Sequence, residues 1–469
     1  MKSINQLILQ AGHFSRRSFQ WLSDSKPGRF ILLLLVASLI FRWFYYIHKY
    51  SVNILFQDMW DFYEPFFSGR DSLVNLFTWR HGPHRQGIGF VLTKYIDQVS
   101  QWNTRWLAFT IGVLMLGTSL LYLRLKKLLF QNLGYFDILV IFIMLSPVQY
   151  GLFANTPNIS HGAAPAMLLA LFGLAWFIKN RFLRYTIVLI LNFLLIYSAF
   201  GLLMGGVTPI ILLLDLWFYR KQPKMRGIIG IALLISLLSL ASFFMDYTFE
   251  SANSSFKFPH DKPFEYLEYI LEMMSRALGG GHWAGLLAIV GALWVGQHHL
   301  GRMMRSSLSE QQYVLSKVIV SMIMFSLVFM LVTSIGRVSL GLSGARSSRY
   351  TTYVLPAVLA LYFHLCSRKV STYQAIAPIL LVFMVVKTTF IHYEVGMMKK
   401  YKKDKLEWKE IYLETGSIEK ASAGRVMGIY PEAVAQKEWL QKRLDFLEQN
   451  NLNLFIESTR KPAPDEAEN

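Results

Sequence analysis

The sequence predicts an all-α polytopic membrane protein of about eleven transmembrane helices, with the N-terminus inside and the C-terminus outside. Three observations carry that expectation. The 469 residues are 54% hydrophobic and only 16% charged, against about 25% charged in an average soluble domain. Several apolar runs reach the roughly 20 residues a helix needs to cross a hydrocarbon core. The short loops expected inside are all basic, the feature that orients such chains in a membrane. The net charge of +18 does not point to nucleic acid, because residues 392–469 hold 13 Lys/Arg and 14 Asp/Glu. The excess therefore belongs to the apolar part, where it reads as topology signal. A single cysteine, Cys366, excludes an internal disulfide and a cysteine-built metal site.

Residues 1–28 read as a basic, partly amphipathic cytoplasmic lead, and no small-residue cleavage site follows the first apolar run. That run, 29–47, is the first span, and its basic flank sets the N-terminus inside. Residues 48–101 then form a first outer loop, with 86–99 as a short amphipathic helix on the membrane face. Spans two to four are expected at about 102–123, 136–153 and 162–178. Residues 185–219 lie between basic flanks, so they cross twice, as two short helices broken at Gly201, Gly205 and Gly206. Such interrupted segments are tolerated where backbone lines a cavity. Span seven is 227–245, and a second outer loop covers 246–280, with interfacial helix character from Pro263 onward. Spans eight to eleven follow at 281–297, 318–335, 351–366 and 373–391, with a third outer loop at 336–350. The transmembrane domain is thus 29–391, and 392–469 is a small extracytoplasmic helical tail ending in a disordered KPAPDEAEN.

Polar chemistry is concentrated in the first outer loop. Asp58 and Asp61, three apart, share one face if helical and could aim two carboxylates into one cavity. Either could act as a general base toward a hydroxyl or help hold a divalent cation; N-capping acids of a solvated loop are the plainer alternative. Glu64 and Asp71 are weaker candidates. In WRHGPHRQG, His81 and His84 are separated by Gly82-Pro83, which makes a turn and argues against a helical two-histidine metal motif. With Arg80 and Arg85 they suit an anion such as phosphate, or an interfacial contact to lipid headgroups. The third outer loop holds Arg337, Arg346 and Arg349 and no acid. Planar guanidinium forks fit phosphate oxygens, and a helix opening at 347–353 would add its amides. Asn155, Asn158 and His161 could line the same cavity, whereas Asp246 and His260 read as ordinary loop residues. Asp215 reads as a local partner of Arg220, and His298 and His299 as cytoplasmic loop.

The eleven-span plan, the acids of QDMWD just after span one and the interfacial helices of that loop resemble the GT-C superfamily of integral-membrane glycosyltransferases. The later GR…SRYTTY arginines and the outer tail extend the likeness. The resemblance implies a polyprenyl-phosphate-linked sugar as donor and a cell-surface glycan or lipid-linked acceptor. It makes Asp58 or Asp61 the base or metal contact, and Arg337, Arg346 and Arg349 the phosphate contacts. His81, His84 and Arg85 join that phosphate-binding set. It also implies a bacterial inner membrane. The acids are spaced D-x-x-D rather than adjacent, which leaves open which is the base and whether Mg2+ or Mn2+ is used. An O-antigen-type polymerase or ligase would rely on the arginines without an essential first-loop acid. A transporter of lipid-linked glycans would carry buried mid-span charges, which are scarce here. A scaffold would leave the acid-free arginine loop without a purpose.

Overall fold

The computed structural model describes residues 25–247, 256–305, 308–368, 370–424, 428–431 and 433–456. The chain is an all-α membrane protein. Among the described residues, its helices of seven residues or more are α1 (Lys26–Tyr50), α2 (Gly87–Ser100), α3 (Thr104–Phe130), α4 (Ile138–Met144), α5 (Ala163–Ala175), α6 (Arg181–Ile196), α7 (Met204–Phe218) and α8 (Pro223–Phe243). They continue as α9 (Phe264–Ala277), α10 (His282–Met303), α11 (Glu310–Arg337), α12 (Ser348–Cys366), α13 (Val370–Thr389), α14 (His392–Thr415) and α15 (Lys437–Gln449). Short polar residues set many of the starts. The Ser25 hydroxyl accepts from Gly28 N–H ahead of α1, and Asn103 caps α3. Asn180 caps α6, and Ser309 with Gln312 forms a reciprocal capping box on α11.

Among the described residues, six helical segments are long and apolar enough to cross a membrane. They are Lys26–Tyr50, Thr104–Phe130, Tyr135–Leu152, Ala199–Phe218, Pro223–Phe243 and Glu310–Leu340. A seventh exists if α9 and α10, bent by 98° at the 278–281 break, count as one span. The expected span 136–153 is not one regular helix. It stops after Met144, and Pro147 opens a 3-10 turn to Leu152, because proline cannot continue the α ladder. The whole segment is almost entirely enclosed by its neighbours. The expected fourth and fifth spans form helices of only 13 and 16 residues.

Two further expectations change. Asp215 does not pair with Arg220. It is fully buried and accepts from Lys317 Nζ at 2.6 Å and from the Tyr185 and Tyr313 hydroxyls, each at 2.8 Å. Lys317 lies 102 positions away in sequence, so proximity along the chain misleads here. His299 is not loop: α10 continues through it, and its ring nitrogens meet Ser316 Oγ (3.0 Å) and His364 Nδ1 (2.9 Å) in the interior.

The tail is not a separate appendage. α14 packs against α1 and the 147–152 turn, and Asn53 Nδ2 donates to Asn453 O at 2.7 Å. Arg443 pairs with Glu64, and Phe446 packs edge-on against Phe67. The 1–24 lead and the KPAPDEAEN ending lie outside the described residues.

Candidate active site

Asp58 is positioned from both ends of the chain. Thr104 Oγ1 donates to Val52 O (2.9 Å) and accepts from Ile54 N–H (3.1 Å). Gln57 has φ +54°, in the left-handed region that non-glycine residues avoid. It is held there by its N–H on Ile429 O (2.6 Å) and its side-chain amide on Gly428 O (2.5 Å). That reversal turns Asp58 toward α12, where Arg349 Nη1 donates to Asp58 Oδ2 at 3.0 Å. Arg349 is fixed in turn by the start of α12. Ser348 Oγ accepts from Gly151 N–H (2.9 Å), and Thr352 Oγ1 donates to Gln149 Oε1 (2.8 Å). One turn on, Pro356 interrupts the helical ladder, and Ser326 Oγ bridges the gap by accepting from Ala357 N–H (3.1 Å) and donating to Tyr353 O (2.8 Å).

Asp58 and Arg349 line a cleft with His81, His84, His161, Arg337, Phe200, Tyr350 and Tyr353; it encloses about 620 Å³, part of it open to solvent. Residues far apart in sequence thus meet: the first-loop acid, both histidines of the hairpin, and two of the three later arginines. Arg337, at the end of α11, has no hydrogen-bond or ion-pair partner among the described residues. Phe200 forms the opposite wall, its ring 4.2 Å from His84 and 5.1 Å from Tyr353 between centroids.

The hairpin register divides its four basic residues. His81 pairs with His84 and Arg80 with Arg85 across an antiparallel two-residue turn, so alternate positions face opposite ways. The histidines line the cleft. Arg85 points away and clamps backbone, donating to Thr78 O (2.9 Å), Phe243 O (2.9 Å) and Met245 O (2.8 Å). Arg80 lies over the Tyr247 ring. Arg346 is also elsewhere, with a bidentate bond to Glu272 at 3.0 and 3.2 Å. Asp61 faces the tail, accepting from Tyr430 Oη at 3.2 Å, because the Met59–Phe62 helix is a single turn and the two carboxylates diverge. Asp71 pairs with Lys94 at 2.9 Å.

Electrostatics separate the groups further. Burial alone would raise the Asp58 carboxyl, but the charge and hydrogen bond of Arg349, with the charge of Arg337, hold it below the usual range. Asp61 is shifted up, chiefly by burial. Burial pushes His84 down to about 3, with Arg337 and His81 adding to the effect. His81 and His161 are lowered for the same reason. The three imidazoles are neutral at physiological pH. They can donate one N–H each to a ligand, and the positive charge of the cleft comes from Arg337 and Arg349.

Gln86 is a residue that sequence reading misses. It is completely buried, accepts from Asn158 Nδ2 (3.3 Å) and meets His161 Nε2 at 3.1 Å. The available signal is Gly89: a Cβ there would come within 2.7 Å of Ser160 backbone, so its glycine permits the close approach of α2 to the 158–161 turn. Among the described residues no three His, Cys, Asp or Glu side chains converge to hold a metal ion. Asp58 is bound to a guanidinium and Asp61 faces the tail, so the pair does not fit a shared cation. No protein-family model matches the chain, and no curated protein or solved structure matches it.

Proposed function

We propose that the chain is a membrane glycosyltransferase of the GT-C type, moving a sugar from a polyprenyl-phosphate donor to a glycan or lipid-linked acceptor. The observation that supports this best is the Asp58–Arg349 pair in one cleft with Arg337. A carboxylate beside two guanidinium groups supplies a base and an anion site within reach of one reacting centre. Asp58 takes the proton of the acceptor hydroxyl as its oxygen bonds to the anomeric carbon. The bond from that carbon to the lipid-phosphate oxygen breaks, and the released phosphate stays on Arg337 and Arg349. A single attack of this kind inverts the anomeric centre. His81 and His84 donate neutral N–H groups to sugar or phosphate oxygens. No step is routed through a metal ion. The reading carries with it eleven spans, an inside N-terminus, an outside C-terminus and a bacterial inner membrane.

The test is mass spectrometry of surface and lipid-linked glycans in a deletion strain complemented with the native protein, Asp58→Asn or Arg337→Gln, at matched membrane levels. The expected outcome is loss of one fixed sugar mass in the deletion and in both variants. A polymer ladder that collapses in the deletion and recovers with Asp58→Asn would instead identify a polymerase or ligase. An unchanged glycan profile in the deletion would overturn both.

A further inference from the structure

A second cleft lies at the α9–α10 elbow, lined by Glu272, Ser275, Arg276, His282, Arg346 and Tyr393, with the elbow glycines 280 and 281. It too encloses about 620 Å³, part of it open to solvent. Arg346 and Arg349 are three residues apart, which is at most ~11 Å of chain, yet each lines a different cleft. The 346–350 segment is the partition between them.

The carboxylates of the second cleft are occupied. Glu272 accepts both bonds of Arg346 and lies 3.1 Å from His282 Nε2. Glu394, behind the cleft, pairs with Arg276 Nη1 at 2.8 Å. Among the described residues, the buried polar atoms on these walls without a hydrogen-bond partner are Arg276 Nε and Nη2, whose guanidinium lies over the Tyr393 ring, and Ser275 Oγ, which lies beside Gly285 of α10. Ser275 is 2% exposed, and the Arg276 side chain is 13% exposed. The N-terminus of α10 opens here, and Gly281 offers no side chain to cap it. The unsatisfied N–H groups of Arg276 suit a ligand whose oxygens only accept. Buried guanidinium, helix amides and hydroxyl together are the donor set that binds a phosphate ester.

We propose that the elbow cleft is a second phosphate-binding site, separate from the cleft around Asp58, for a phosphate ester whether lipid-borne or free. This inference does not depend on the glycosyltransferase reading. Joined to that reading, it makes the second substrate a phosphate ester as well.

The test uses the full-length chain in phosphatidylcholine nanodiscs with Cys366→Ser, which leaves no native cysteine. His282→Cys, at a side chain 68% exposed, reports occupancy through its rate of maleimide labelling. Glu438→Cys on the tail is the control. Dodecyl phosphate should slow labelling at position 282 several-fold and leave position 438 unchanged, whereas uncharged dodecyl maltoside should slow neither. Inorganic phosphate protecting equally well would keep the phosphate chemistry and reject the lipid source. Protection should fall away with Arg276→Gln. If that variant does not fold, Arg346→Gln, at an exposed side chain, should weaken protection instead. The proposal is overturned if neither phosphate protects, or if protection survives in whichever arginine variant folds. None of these readouts involves Asp58, so their failure leaves the transferase reading to its own glycan test.

Discussion

On the proposed transferase reading, Arg349 has one guanidinium and two prospective partners, Asp58 and a donor phosphate. Paired as it is with Asp58, it holds that carboxyl low, and so holds it weak as a base. A phosphate that draws Arg349 away removes that stabilisation, raises the carboxyl's proton affinity and readies it to accept a proton. The pH dependence follows with a definite sign. Removing the cation in Arg349→Gln raises the Asp58 pKa, so the acid limb of the pH–rate profile should move to higher pH, with turnover reduced about 100-fold. The same profile in His84→Gln should keep its shape between pH 5 and pH 8, because His84 titrates near 3 and stays neutral throughout that window. A shift in the His84 variant, or none in the Arg349 variant, would contradict the roles assigned here.

Helices and turns decide which of the sequence's basic residues face the cleft. Asp58, His81, Arg337 and Arg349 are legible in the chain because an apolar sequence concentrates its polar chemistry in two loops. Arg85 and Arg346 have the same composition around them and lie outside the cleft. Hairpin alternation turns Arg85 around, and the partition at 346–350 carries Arg346 to the other side. Neither effect is visible before three-dimensional register is known. The tail is less legible still, since its contacts to the first loop span hundreds of positions. Lys405 on α14 is buried and donates to Ala154 O (2.9 Å) and Asn155 O (2.6 Å), and burial lowers its pKa to about 7. Between about pH 7 and its ordinary 10.5 the unfolded tail binds a proton that the folded one does not, so docking strengthens as pH rises through that window. The thermal midpoint should accordingly climb from pH 7 to pH 9, relative to Lys405→Met at the same pH, when followed by the fluorescence of Trp408 and Trp439. A constant difference between the two proteins would show that Lys405 is protonated in the fold across the whole range.

At the scale of the molecule, the Asp215–Lys317 pair ties α7 to α11, with Tyr185 of α6 and Tyr313 completing the shell. The sequence leaves this pair unread, because Arg220 lies five positions from Asp215 whereas its true partner Lys317 lies 102 positions away. Breaking a buried pair leaves a bare charge and costs roughly 3–5 kcal/mol, whereas replacing both partners with apolar groups is often close to neutral. Lys317→Met alone should therefore sharply reduce folded protein in detergent, and Asp215→Leu with Lys317→Met should recover most of it. Size-exclusion profiles after mild heating distinguish the two cases. Equal losses in single and double variants would mean that the charges serve the fold beyond pairing.

The contacts from Asn53 and Gln57 to Asn453 and Gly428 have a meaning for biosynthesis. The segment that presents Asp58 leaves the ribosome well before the residues that lock its shape, which follow 371 and 400 positions later. Through that interval Gln57 lacks the Ile429 and Gly428 carbonyls that hold it in the left-handed bend. Products that stop before residue 428 would therefore enter the membrane with Asp58 unheld and the cleft around it unformed.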